Sequence, residues 1–192
     1  MQLKNLKTNY LGRTTIYYNK IDSTQKEIWR LIENNNSPSG TLIFADLQTK
    51  GIGTHGRTWY TDEAKNIAFS FFIKMNCDIE KLDGITIQIA KIIQQILKEK
   101  YEIHIEIKKP NDIVINNKKI GGILTQTKIV SEKVKYLVVG IGLNTEKEKF
   151  TKDIKDIATS IKKEFGKTVD TKEFIAEFCN EFEKEIIKRM EK

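Results

Sequence analysis

Apolar and polar positions along this chain of 192 residues change period several times, and each change marks an element. Residues 14–18 are β-branched and aromatic, which predicts a strand. Ile28, Leu31 and Ile32 then keep helical spacing. Thr24 and Glu27 have the capping-box spacing, in which each side chain satisfies a free backbone N–H at a helix start. That helix runs out at Asn34-Asn35-Asn36, and Pro38 and Gly40 complete a turn. Residues 41–47 and 67–74 read as strands, the first of them buried. Ile85, Ile89, Ile92, Ile93, Ile96 and Leu97 predict an amphipathic helix over residues 82–100. Ile103, Ile105 and Ile107 alternate with polar residues, the mark of a half-buried strand. Ile113-Val114-Ile115, a turn at Asn116-Asn117 and residues 120–128 predict a hairpin. Residues 134–141 predict the last strand, and Phe174, Phe178, Phe182 and Ile186 a C-terminal helix with one apolar face. With no repeat, linker or low-complexity tract, this order predicts one α+β domain on a mixed, largely antiparallel sheet.

Composition narrows the class. Apolar content of 39% and charged content of 31% are those of a folded globular chain. The net charge of +7 comes almost wholly from scattered lysines, with Arg13, Arg30, Arg57 and Arg189 as the arginines. Base readout favours arginine forks, so the charge does not predict a DNA partner. Cys77 and Cys179 fit no metal spacing and predict buried free thiols. The first residues hold no apolar signal core and no apolar run reaches membrane length, so a cytoplasmic protein with no membrane partner is expected.

Candidate chemistry centres on residues 47–60, L-Q-T-K-G-I-G-T-H-G-R-T-W-Y. Three glycines in six positions permit close backbone approach to a ligand, and N–H groups in such a loop can wrap a phosphate. The spacing matches the dinucleotide fingerprint, but Arg57-Thr58-Trp59-Tyr60-Thr61 does not open the helix that fingerprint requires. No P-loop Gly-Lys-Ser/Thr follows either. Lys108-Lys109-Pro110-Asn111-Asp112 stands at a strand end, where Pro110 restricts Lys109 and would present Lys108 on a defined face. Gly121-Gly122, Gly140 and Gly142 put bare backbone in strands, often a sign of close ligand approach. His55 and His104 receive no role.

Together with Asp22-Ser23-Thr24-Gln25, these segments resemble the catalytic domain of the biotin protein ligases. That family's pattern runs D-S-T-N/Q, Q-T-x-G-x-G-R-x-x-R-x-W, K-W-P-N-D, K-K-x-x-G-I-L and G-I-G-x-N. Here it is matched by residues 22–25, 48–59, 108–112, 118–124 and 140–144, and Ala158-Thr159-Ser160 resembles a later A-T-S segment. The resemblance implies the fold shared with lipoate ligases and class II aminoacyl-tRNA synthetases. It also implies a two-step reaction. Biotin's carboxylate attacks the α-phosphorus of ATP to give biotinyl-AMP, and a lysine of a biotin carboxyl carrier domain then takes the biotinyl group. By the same match, Lys108 and Arg57 are catalytic. Ser23, Thr24, Gln48, Gly51, Gly140 and Gly142 surround biotin. Gly53, Thr54, Arg57, Trp59, Asn111, Lys119 and Asn144 surround the nucleotide, and Mg²⁺ is held mainly by its phosphates. Thr24 thus has two competing uses, as helix cap and as ring contact. A homodimer through sheet edges is also implied.

The chain departs from that pattern in places. Thr54 stands where the family has Arg and Ile52 where Arg or His is common, which implies a glycine lid that orders less firmly and leaks the adenylate. Lys109 replaces a Trp and Gln126 a Glu. Neither an N-terminal helix-turn-helix domain nor a C-terminal SH3-like barrel is read in the sequence. A non-catalytic biotin- or adenylate-binding relative, and a ligase for another acyl group such as lipoate, remain as alternative readings.

Overall fold

A computed structural model of the protein describes residues 3–35, 37–62 and 65–191, so Asn36 of the expected helix end lies outside the described residues. Strand β1 (Thr15–Ile21) leads into helix α1 (Thr24–Glu33) and strand β2 (Leu42–Gln48). A small ribbon follows, β3 (Gly51–Ile52) and β4 (Thr58–Trp59), joined by a 3-10 turn at Thr54–Gly56. Then come β5 (Asn66–Cys77), α2 (Ile85–Tyr101), β6 (Glu106–Lys108), β7 (Asp112–Ile115), β8 (Lys118–Val130) and β9 (Lys133–Asn144). Helices α3 (Ile161–Phe165) and α4 (Thr171–Glu191) end the described chain.

Seven strands form one sheet in the order β1-β2-β5-β9-β8-β7-β6. Only the β1–β2 pair is parallel, because α1 is the crossover between them; every other pair in that sheet is antiparallel. The mixed, largely antiparallel sheet expected from the pattern is therefore present. The β7–β8 turn is also as expected, with Asn116 and Asn117 both at positive φ (49° and 62°), as a two-residue hairpin turn requires.

Helices cover both faces. Phe69 and Phe71 of β5 meet Phe178 and Phe182 of α4, and the apolar stripe of α2 joins the same core. On the other face Phe72 and Val138 pack with Ile28 and Ile32 of α1. This split follows the strand's period of two, which sends Phe69 and Phe71 one way and Ser70 and Phe72 the other.

Three local expectations change. Ser23, not Thr24, is the N-cap of α1, its hydroxyl accepting from the Lys26 N–H at 3.5 Å. Thr24 is held elsewhere by stronger hydrogen bonds, described below, so no capping box forms. Helix α2 starts at Ile85 because Gly84, at φ 69°, breaks the path from a 3-10 turn at Ile79–Leu82. Ile103 and Ile105 are buried as their alternation implies, but strand pairing begins only at Glu106.

Candidate active site

Register builds the floor of the site. Lys108 of β6 faces Asp112 of β7, which faces Gly122 of β8, then Gly142 of β9, then Ala68 of β5. Residues directly opposite each other in a sheet share a face. One rung therefore carries an ammonium, a carboxylate, two bare α-carbons and a methyl group. The next rung on that face is Leu124, Gly140 and Ser70. Above this floor, on the side that carries α1, is a cavity of about 380 Å³, a size suited to a small-molecule ligand.

The glycine-rich stretch forms a roof. The β3–β4 ribbon lays Trp59 on Gly142, where a methyl group would meet the indole at 2.4 Å. The Trp59 Nε1–H is buried with no partner among the described residues. Lys119 holds its ammonium 5.9 Å from the Trp59 ring centroid and pairs with Asp112 at 2.6 Å. Asp112 is thus engaged by Lys119, which leaves its rung neighbour Lys108 exposed and with no ion pair among the described residues. Arg57 folds back on the turn, donating to the Thr54 hydroxyl at 3.1 Å and the Thr54 carbonyl at 3.3 Å. Asn111 donates to the Ile123 carbonyl at 3.1 Å and approaches Thr54 Oγ1 at 3.4 Å.

One end of the cavity is neutral and polar. Gln48 Oε1 accepts from the Thr24 N–H at 2.8 Å and the Thr24 hydroxyl at 3.0 Å, and that hydroxyl also meets Ser70 Oγ at 2.9 Å. Gln126 Oε1 accepts from Gln25 Nε2 at 3.0 Å and from Trp29 Nε1 at 2.7 Å. This turns Gln25 Oε1 toward Gly140, where it is buried and unpartnered. The other end is lined by Lys147, Phe150, Ile154, Ala158 and the largely exposed Ile157. Asn144 borders it and donates to the Thr159 carbonyl at 3.1 Å.

Thr24, Gln48, Gly53, Thr54, Arg57, Trp59, Lys108, Asn111, Lys119, Gly140, Gly142 and Asn144, widely spaced in sequence, line this one cavity. Ser23 and Gly51 do not reach its wall. Ser23 is fully buried as the cap of α1, and the Gly51 α-carbon is turned against the Trp59 carbonyl. Gln25 and Trp59 fill the space directly over Gly140 and Gly142, the two floor glycines that the resemblance places around biotin. Gln25, Ser70, Asp112 and Lys147 are wall residues that the sequence reading gave no role. Strand period alone puts Ser70 on the face opposite Phe69 and Phe71; nothing in the pattern around Lys147 marks it as buried. Among the described residues no three His, Cys, Asp or Glu side chains converge as a metal site.

Comparison with known proteins identifies relatives of this chain and of its fold. A family model described as the biotin/lipoate A/B protein ligase family matches residues 17–144. The bifunctional ligase/repressor BirA of Bacillus subtilis (strain 168) is 36% identical over 181 residues, covering 93% of this chain and 55% of that protein. The chloroplastic biotin–protein ligase 1 of Arabidopsis thaliana is 26% identical over 185 residues, covering 92% and 48%. A biotin protein ligase from Aquifex aeolicus, solved in complex with biotin and ATP, superposes with a TM-score of 0.71 at 30% identity, over 93% of this chain and 71% of that one. The chain spans about half the length of these curated relatives.

Proposed function

The chain belongs to the biotin/lipoate A/B protein ligase family, and from that premise we propose that it joins biotin to ATP as biotinyl-5'-AMP and passes the biotinyl group to a lysine of a biotin carboxyl carrier domain. The observation that carries this reading is Lys108, an ammonium with no ion-pair partner among the described residues, on the same rung as the glycine floor. Forming an acyl adenylate brings two anions together and builds charge at the α-phosphate. An uncompensated cation placed at that charge is the largest help a site offers there. Lys108 supplies that charge between the biotin carboxylate and the α-phosphate. Arg57 takes further phosphate oxygens on leaving Thr54, Gly53 lies against the nucleotide as bare backbone because its N–H is held by the Arg57 carbonyl at 2.7 Å, and Lys119 steadies Trp59 and Asp112 beneath. In the second step the carrier's amine attacks the acyl carbon, AMP leaves, and Lys108 offsets the charge that returns to the phosphate.

The acyl end selects between two ligase readings. Thr24, Gln48, Ser70 and the unpartnered Gln25 Oε1 form a hydrogen-bonding pocket. A cyclic urea, with its carbonyl and N–H groups, uses such a pocket; a dithiolane ring leaves it unpaired. This favours biotin over lipoate. Mg²⁺ belongs to the same proposal as a partner of the triphosphate, since cations dominate the charged wall and its carboxylate Asp112 is tied to Lys119. Cys77 and Cys179 are buried free thiols, and burial pushes both upward from the ordinary thiol range. Among the described residues no helix is long and apolar enough to cross a membrane. A cytoplasmic location is proposed on the same footing.

The test incubates the protein with Mg-ATP, biotin and an apo carrier domain, beside Lys108→Ala. Wild type should form adenylate and biotinylated carrier, and Lys108→Ala should slow adenylate formation by about 10²-fold or more. Wild type that makes neither product sinks the ligase reading and leaves a binding-only relative. Preference for lipoate or octanoate in place of biotin reassigns the substrate.

A further inference from the structure

One charged group of the cavity wall has no part in the reaction just described. Lys147 is 3% exposed, although it is a lysine three residues beyond the end of β9. Burial of an ammonium is unfavourable unless it is paired and hydrogen-bonded. Its carboxylate partner is Asp62, at 3.5 Å, longer than the roughly 2.7–2.9 Å of a charge-assisted hydrogen bond. Asp62 is also half exposed, so water screens it. The Phe150 ring, 5.5 Å from the ammonium, adds a weak cation–π contact. A buried cation in a cavity wall is therefore left under-compensated, on the side where Phe150, Ile154 and Ile157 form an apolar lining.

That lining is suited to a purine ring, whereas the Thr24–Gln48 end is neutral and polar. A cation bordering the apolar end meets the phosphates that follow the base and stands apart from the acyl group. Asp62 lies three residues after Trp59, at the exit of the ribbon. Glu146 N donates to the Lys65 carbonyl at 3.0 Å, which fixes Lys147 against the same segment. We propose that Lys147 is a further phosphate contact for the nucleotide, and that Asp62 stands in for that phosphate when nucleotide is absent. This rests on the ligase reading above. Nucleotide draws Lys147 off Asp62, so binding at the far wall also releases the exit of the ribbon that carries Trp59.

Calorimetry with ATP, adenosine and biotin tests this on wild type, Lys147→Met, Lys147→Arg and Asp62→Asn. Loss of one charge-assisted contact should weaken ATP about 10-fold or more in Lys147→Met, with adenosine and biotin within about two-fold of wild type. Lys147→Arg should recover most of the ATP affinity. Asp62→Asn should tighten ATP, because it removes the competing carboxylate; a purely structural ion pair would give no such opposite sign. Lys147→Met that leaves ATP binding unchanged, or weakens ATP and adenosine equally, overturns the proposal. Should that variant fail to fold, Asp62→Asn decides, and unchanged or weaker ATP binding overturns the proposal. Wild type that binds no ATP removes the ligase reading itself, and this inference with it.

Discussion

The indole of Trp59 rests on Gly142, with ring atoms 2.4 to 2.7 Å from where a β-carbon at residue 142 would stand. Gly142→Ala must therefore move the ring. The ring belongs to a two-residue strand paired only with β3, so it yields easily and stability should fall by about 1 kcal/mol. Adenylate formation should drop about 10-fold as the roof of the site lifts. Trp29 and Trp59 are the two tryptophans, so a red shift in emission reports water reaching Trp59. Gly121→Ala is the contrast, because its methyl group would strike Leu143 at 2.5 Å on the opposite face. It should cost more stability and leave the emission unchanged. Equal emission from Gly142→Ala and wild type would show that Trp59 does not need the bare floor.

Thr54→Arg tests how the roof holds the intermediate. Thr54 accepts the Arg57 guanidinium and borders Asn111, so the turn uses its arginine on itself. The substitution removes that acceptor and adds a forked cation at the same turn. Escape of biotinyl-AMP in a single-turnover chase should slow about 10-fold. Escape at the wild-type rate or faster would separate Thr54 from adenylate retention.

Much of this architecture was legible in the sequence because period reports burial directly. The isoleucine stripe of α2, the phenylalanines of α4 and the Asn116-Asn117 turn lie where the pattern puts them. The line of Lys108, Asp112, Gly122 and Gly142 was only half legible. Strand period puts Gly140 and Gly142 on one face, but pairing register between distant strands is a tertiary property. Ser23 and Thr24 show the opposite limit. Both fit a cap, and competition decides between them: the Thr24 hydroxyl has Gln48 and Ser70 as buried partners, which leaves the cap to Ser23. Lys147 and Glu183 read as surface charges and are buried, because their environments come from segments remote in sequence.

Glu183 of α4 is a structural anchor far from the cavity. Its carboxylate accepts the backbone N–H groups of Asn9, Tyr10 and Leu11, the last at 2.9 Å. Asn180, one turn earlier, accepts from Lys7 N–H at 2.7 Å and donates to the Asn5 carbonyl at 3.1 Å. Helix α4 thus clamps the segment that enters β1. Glu183→Gln keeps the shape, removes the charge and one acceptor oxygen, and should destabilise the fold by about 3 kcal/mol in urea unfolding. Biotin affinity of the folded variant should stay within about two-fold of wild type. A loss below about 0.5 kcal/mol would show that water replaces the carboxylate at these amides.

Asp22 links stability near the acyl end to pH. Its carboxylate accepts from Arg30 at 2.5 and 3.0 Å and from the Ser23 N–H at 2.8 Å, and its carbonyl accepts from Lys50 N–H at 2.8 Å. It therefore fixes the turn that delivers Ser23 and Thr24. The Arg30 hydrogen bonds hold the Asp22 carboxyl below the ordinary carboxylate range, against the upward push of partial burial. A carboxyl depressed in the folded state adds stability that is fully present above its unfolded pKa of about 3.9 and is lost as pH falls through the folded value. Asp22→Asn should lower stability at about pH 7 by about 1 kcal/mol or less, because Arg30 is largely exposed. The gap between variant and wild type should narrow below about pH 4 and close once Asp22 is protonated in the folded protein. Paired urea titrations from about pH 7 to about pH 2 measure it. A gap that stays constant across that range would mean that the turn is held by the Asp22 backbone and side-chain shape, with no contribution from its charge.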